Sequence, residues 1–255
     1  MTNHEIIDRP RYLTDHLTDL RKGLVRSLVV AVLGVVVAFW KSNLLFDFLL
    51  HPFKTVLSKF PAIGNQVHAL QTLTPVEAFM INMKLAAIAG VLLASPYILA
   101  EIWKFAAPAL KAHERNGILM VFCLGLFFFL GGIAFAYFFV VPVSLEFLMK
   151  YNLDFDFVPQ WTLQGYYGFV VNFLLIFGCI FELPLVLAAL VAIGIATPEF
   201  LRQKRKHAIL GIFILAAFLA PSADPITQTI VAVPLMVLYE IGILLSYLTV
   251  KSKNS

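Results

Sequence analysis

The sequence predicts an all-α, polytopic membrane protein with six transmembrane helices, and its composition is the first observation that supports this. Of the 255 residues, 60% are apolar and 13% are charged, and the mean hydropathy is +0.88. Soluble domains carry about 45–50% apolar and about 25% charged residues, so we do not expect an ordinary soluble enzyme. The second observation is that charge-free runs recur along the chain, and a hydrocarbon core takes roughly 20 such residues to cross.

The gaps between charged residues define six predicted spans within a single membrane domain, residues 1–255. We place the spans at about 24–44, 79–100, 118–141, 167–192, 207–223 and 226–249. The predicted outer loops lie at about 45–78, 142–166 and 222–226.

Local start and stop signals justify several of these boundaries. Span two follows Thr74-Pro75-Val76-Glu77, a capping box with proline at the first helical position. Pro184 is expected to kink span four because it lacks a backbone N–H group. Spans five and six form a short hairpin. The 17 charge-free residues of span five make about 25 Å of helix, against a hydrocarbon core of about 30 Å.

The distribution of basic residues predicts the orientation. Fourteen of the 19 Lys and Arg residues fall in segments 1–26, 101–117 and 193–206 and in the C-terminal tail, and five lie on the other side. An even number of spans puts both termini on one side, and the positive-inside rule makes that side the cytoplasm. The basic segments are short and contain no interleaved aromatic residues, so no nucleic-acid partner is expected.

Several classes of chemistry have no motif in this chain. There is no phosphate-binding glycine loop, no His-Glu-x-x-His sequence and no Gly-x-Ser-x-Gly sequence. Cys123 and Cys179 lie in apolar runs and form neither a disulfide framework nor a zinc pattern. We therefore expect no enzymatic activity, no cofactor and no metal site.

Three polar residues in or beside the last spans are candidate functional groups. Glu182 lies in the apolar run of span four, where a charged side chain costs at least about 2.5–3.5 kcal/mol, so it is either functional or hydrogen-bonded to a neighbouring helix. Asp224 precedes Pro225, a pairing that is also typical of a simple helix cap. Gln228 is one turn later on the same helix face.

Acidic residues on the cytoplasmic side form a second candidate group. Leucines spaced by three and four residues from Leu13 to Leu28 predict an amphipathic helix that runs into span one. Asp19 lies on another face of this helix, and Glu114 lies among basic residues between spans two and three. Taken alone, both positions favour a solvated, salt-bridged face over a binding site.

At this point the chain is seen to resemble the TatC family over nearly its whole length, from about residue 12 to about residue 249. The matching stretches are HLTDLRKGLVRSL at 16–28, HPF at 51–53, TLTPVEAF at 72–79, SPYILAEIWKFAAPALKAHER at 95–115, AFAYFFVVPVSLEFL at 134–148, FGCIFELPLVLAAL at 177–190, TPEFLRQKRKHAI at 197–209 and DPITQTIVAVPLMVLYEIG at 224–242.

The resemblance implies the receptor core of the twin-arginine protein translocase of a bacterial inner membrane. This family binds precursors whose signal peptides carry paired arginines and helps to export them in the folded state. The proton-motive force drives this export. Its partners are these precursors, single-span subunits of the TatA and TatB type, further copies of itself and membrane lipid.

The same resemblance implies roles for individual residues. The signal-peptide site would contain Asp19, Arg21, Phe105 and Glu114, where Asp19 stands at a position that is usually Glu in the family. Intramembrane partner docking would involve Glu182, Gln228 and Asp224, and Pro52 would rigidify the first outer loop.

Two other functions are alternatives to this one. A proton-coupled small-solute transporter would use Glu182 as its proton carrier, but no inverted repeat and no pair of broken helices is evident. An intramembrane hydrolase is weaker still, because no nucleophile and base can be paired.

Overall fold

The computed structural model describes residues 13–61, 70–106, 112–157, 159–219 and 225–253, and these are almost entirely helical. The α-helices are α1 (Leu13–Trp40), α2 (Ser42–Leu57), α3 (Glu77–Ala106), α4 (Ala112–Phe135), α5 (Val141–Asp154), α6 (Leu163–Phe181), α7 (Leu183–Ala192), α8 (Pro198–Gln203), α9 (Arg205–Leu219) and α10 (Pro225–Lys253). A π-helical segment, Ala136–Val140, joins α4 to α5. The predicted all-α class is confirmed.

Five segments in the described part of the chain are long and apolar enough to cross a membrane. They are Leu20–Trp40, Glu77–Lys104, Met120–Asp154, Leu163–Ala192 and Gln228–Leu248. The remaining predicted span corresponds to α9, whose 15 residues give about 22 Å of helix. The six-span count, with its short fifth span, stays a prediction.

Two predicted outer loops contain helices of their own. Within 45–78, α2 continues to Leu57, and within 142–166, α5 continues to Asp154. Both helices bury apolar side chains, among them Phe53 in α2 and Met149 in α5. The charged residues of these two segments excluded them from the predicted spans. Burial of their apolar side chains explains why they nevertheless form helices.

The described residues form two compact units. One combines the described residues within 1–42 and 82–120, and the other combines those within 43–81 and 121–255. In the first unit, α1 and α3 cross at Gly34 and Gly90, where a Cβ atom added to Gly34 would lie 2.6 Å from the Gly90 carbonyl oxygen. Only glycine permits so close a crossing, which is a common way for membrane helices to associate.

The core of the second unit is built around α10. Leu235 and Ile243 are fully buried there, together with Phe177 of α6. A Cβ atom added to Gly242 would lie 2.7 Å from a methyl group of Leu187, so α10 also packs tightly against α7. Close packing of this kind is the main source of helix association in a bilayer, where burial from water contributes little.

The capping box predicted before span two is present in its acidic half. The Glu77 carboxylate accepts hydrogen bonds from the backbone N–H groups of Leu73, at 2.6 Å, and Thr74, at 3.4 Å. It also accepts one from Gln164, at 2.8 Å. Glu77 therefore joins the start of α3 to the start of α6, a contact that a local motif does not predict.

Three tyrosine hydroxyls bind the backbone of α2 near Pro52. Tyr137 donates to the Phe48 carbonyl at 2.6 Å, and Tyr166 donates to the Leu49 carbonyl at 2.7 Å. Tyr167 donates to the Phe46 carbonyl at 3.1 Å. A proline has no N–H to give to the carbonyl four residues earlier, which for Pro52 is that of Phe48, so Tyr137 supplies the missing donor.

Candidate functional site

The register between α1 and α3 brings two of the predicted site residues to the same level. Gly34 meets Gly90, and Gly23 meets Glu101, whose Oε2 atom would lie 3.6 Å from a Cβ added to Gly23. Gly23 precedes Gly34 by the same eleven residues by which Glu101 follows Gly90, so the two helices run antiparallel in a constant register. One further turn in the same direction puts position 19 of α1 level with position 105 of α3.

The four predicted signal-site residues are described to different extents. Arg21 is solvent-exposed on α1. Asp19 and Phe105 have defined backbone positions in α1 and α3, and Glu114 has one in the first turns of α4, but their side chains lie outside the described part. Their roles stay predictions, and the structure adds that all four positions belong to the same compact unit.

An ion-paired carboxylate, Glu101, lies next to this position and was not singled out from the sequence. Its side chain is 5% exposed. Oε1 accepts from Lys104 Nζ of the same helix at 2.7 Å, and Oε2 lies 3.5 Å from a terminal nitrogen of Arg26 on α1. The spacing of Glu101 and Lys104 could have indicated a helical ion pair, but the partner on α1 is visible only in the fold.

Glu182 lies where the fourth predicted span is interrupted. It separates α6 from α7, and Pro184 occupies one of the first two positions of α7, so the helix is interrupted beside the proline that was expected to kink it. The carboxylate lies over Gly125 of α4, where an added Cβ would be 3.5 Å from Oε2. Among the described residues, Glu182 has no side-chain hydrogen bond or ion pair. The neighbouring-helix bond that the sequence left open as an alternative is therefore not seen within the described part of the chain.

Gln228 links two helices within the chain. Its Nε2 atom donates to the Phe213 carbonyl at 2.8 Å and so ties α10 to α9. Asp224 lies outside the described residues. Gln228 and Glu182 make no contact with each other in the described part of the chain. Pro52 is buried inside α2, so it lies in a helix of the first outer segment, and its rigidifying role stays a prediction. The partner-docking roles stay predictions.

Comparison with known proteins identifies the family. A family model described as Sec-independent protein translocase protein (TatC) matches residues 15–234. The chain belongs to the TatC family. Two relatives called Sec-independent protein translocase protein TatC illustrate the similarity. The one from Carboxydothermus hydrogenoformans is 38% identical over 239 residues, covering 94% of each chain. The one from Aquifex aeolicus is 36% identical over 245 residues, covering 95% of this chain and 97% of the relative.

Solved structures agree with this assignment. A crystal structure of the twin arginine translocase receptor TatC is 35% identical and superposes with a TM-score of 0.67, covering 92% of this chain and 99% of that chain. A second, in the detergent DDM, gives a TM-score of 0.68 at 35% identity and covers 91% of this chain and 99% of that chain. As a TatC-family protein, this chain is a non-enzymatic, multi-pass membrane component of a bacterial twin-arginine translocase.

Proposed function

We propose that this chain is the signal-peptide receptor of the translocase and binds the paired arginines of folded precursors. The supporting observation is that position 19 of α1 lies level with position 105 of α3, in the same unit as Arg21 and Glu114. The helices α1, α3 and α4 would thus contribute all four residues of the site.

The chemistry of arginine fits such a site. A guanidinium group is always charged and presents a planar fork that a carboxylate can accept through two hydrogen bonds. Two adjacent arginines need two separate acceptors, and Asp19 and Glu114 would provide them. Phe105 would contact the stem or plane of an arginine, and Arg21 would support the site from the same helix as Asp19.

A second part of the proposal concerns assembly within the membrane. Glu182, with no partner among the described residues, would accept a hydrogen bond from a polar group on a TatA- or TatB-type span. Gln228 and Asp224 would contribute at span six. Further copies of the chain would join the complex in lipid, both termini would be cytoplasmic, and transport would use the proton-motive force.

Capture of a precursor in membranes tests the receptor role. The chain should retain a precursor with a twin-arginine signal and release the same precursor with a twin-lysine signal, because lysine is a point charge without the planar fork. Glu114→Ala should abolish this difference. Glu199→Ala, which removes an exposed carboxylate from the first turn of α8, serves as the matched control and should preserve it. Equal capture of both signals by the unmodified chain would refute the receptor role.

A further inference from the structure

The Glu101 ion pair lies one helical turn from the proposed signal site, among side chains that the structure describes. Glu101 is buried, whereas its two cationic partners are exposed, with 55% of the Arg26 side chain and 62% of the Lys104 side chain accessible. Removing the partner of a buried carboxylate is costly, so the pairing constrains the positions of both helices. Lys104 belongs to the same helix as Glu101, whereas Arg26 reaches across from α1.

The glycine crossing of α1 and α3 cannot supply this constraint alone. Gly34 and Gly90 allow the two backbones to approach closely, but glycine has no side chain that would resist sliding or rotation of one helix along the other. A shift of one residue moves a helix by about 1.5 Å and turns it by about 100°. Such a shift would carry Arg26 away from Oε2 of Glu101, so the ion pair favours a single register.

We propose that Glu101 is a positioning residue for the signal-peptide site, which it serves by holding Arg26 and thereby keeping position 19 of α1 level with position 105 of α3. This inference rests on the proposed receptor function. Glu101 precedes Phe105 by one turn of α3, and Arg26 follows Asp19 by two turns of α1. The pair is therefore close enough along both helices to transmit its register to the site.

Gly23 completes the arrangement. It lies on α1 opposite the carboxylate, where a Cβ atom would already be in contact with Oε2. A longer side chain at this position would compete with Arg26 for the same space. The absence of a side chain at position 23 thus leaves the carboxylate open to Arg26.

The test compares Glu101→Gln, Arg26→Gln and the double variant in the capture assay. The readout is the ratio of twin-arginine to twin-lysine precursor retained, together with the amount of chain in the membrane and its melting temperature in detergent. Glu146→Gln is the matched control, because this outer-segment carboxylate is also paired with two lysines, Lys59 at 2.7 Å and Lys150 at 3.1 Å. It should leave the ratio unchanged.

A positioning role predicts that both single variants lower the ratio, by about fivefold or more, and that the double variant lowers it no further than either one. A role through local charge predicts opposite signs, because Arg26→Gln removes a cation that repels the signal and Glu101→Gln leaves that cation unpaired. Opposite signs would overturn the proposal.

The remaining outcomes distinguish a positioning role of Glu101 from a purely structural one and from a failure of the receptor function. A lower melting temperature with an unchanged ratio would make Glu101 a purely structural residue and would overturn the inference. If Glu101→Gln fails to accumulate, Arg26→Gln alters an exposed side chain and carries the test alone, with an unchanged ratio as the refuting result. An unmodified chain that does not distinguish the two signals would refute the receptor function itself, which is a separate result.

Discussion

Removal of the Tyr137 hydroxyl should destabilise the protein because Pro52 has left its acceptor without another donor. In α2, the Phe48 carbonyl would normally receive the N–H of residue 52, and the proline cannot provide it. Tyr137 donates to that carbonyl at 2.6 Å and is 5% exposed. The bond is partly buried, and leaving its acceptor unpaired away from water costs about 1–3 kcal/mol, so Tyr137→Phe should lower the free energy of unfolding by that amount.

A double-mutant cycle with Pro52→Ala separates this explanation from a general packing effect. Alanine restores an N–H group that can reach the Phe48 carbonyl, so the cost of Tyr137→Phe should shrink by about 1 kcal/mol in the Pro52→Ala background. Unfolding of the purified chain in mixed micelles, followed during titration with a denaturing detergent, measures each corner of the cycle.

A second tyrosine, Tyr151, provides the control for this prediction. Tyr151→Phe removes a hydroxyl from an exposed tyrosine of α5 that makes no side-chain hydrogen bond with the described residues, so it should change the unfolding free energy by about 0.5 kcal/mol or less. If Tyr137→Phe costs the same in the unmodified chain and in the Pro52→Ala background, within about 0.5 kcal/mol, the two residues act independently and the reasoning is wrong.

Three further substitutions test other contacts. Gly90→Ala should cost about 1–3 kcal/mol of unfolding free energy, because its Cβ would lie 2.5 Å from Val35 Cα, whereas Gly131→Ala, with no atom within 4 Å of its Cβ, should be neutral or stabilising. Glu77→Gln should cost about 1–3 kcal/mol in the same detergent titration, since an amide nitrogen cannot accept the N–H groups that the carboxylate binds. Glu182→Gln should change the unfolding free energy by about 0.5 kcal/mol or less but should reduce co-purification of a TatA-type subunit, and undiminished co-purification would contradict the docking proposal.

The helical class and the approximate span positions could be predicted from the sequence because the bilayer imposes a simple rule on composition. A helix that crosses the membrane must be apolar for about 20 residues, and such runs can be recognised in the sequence without knowing which helices pack against them. Local sequence signals also predicted helix ends, as the interruption beside Pro184 and the hydrogen bond of Glu77 in the capping box illustrate. The helices in the outer segments were not predicted, because their stability comes from burial of residues such as Phe53 and Met149.

Contacts between distant residues were the part that could not be predicted. Pro52 in the sequence indicates that the Phe48 carbonyl lacks its helical hydrogen-bond donor. Nothing local indicates that Tyr137, 89 residues later, will supply that donor. Glu101 likewise shows only its neighbour Lys104 in sequence, whereas Arg26 lies 75 residues earlier. Which helix faces meet is decided by packing of the whole chain, and a single sequence contains no direct record of it.

The surroundings of three carboxylates distinguish structural from available acidic groups in this chain. Glu77 accepts three backbone N–H groups, and Glu101 is paired with two cations, so each is committed to holding its own segment. Glu182 lies over Gly125 with no such partner among the described residues, although it interrupts one of the most apolar segments. A polar group at membrane depth is costly unless something satisfies it. The assembly proposal assigns the bond that is missing within the described residues to another subunit, and it therefore depends on Glu182.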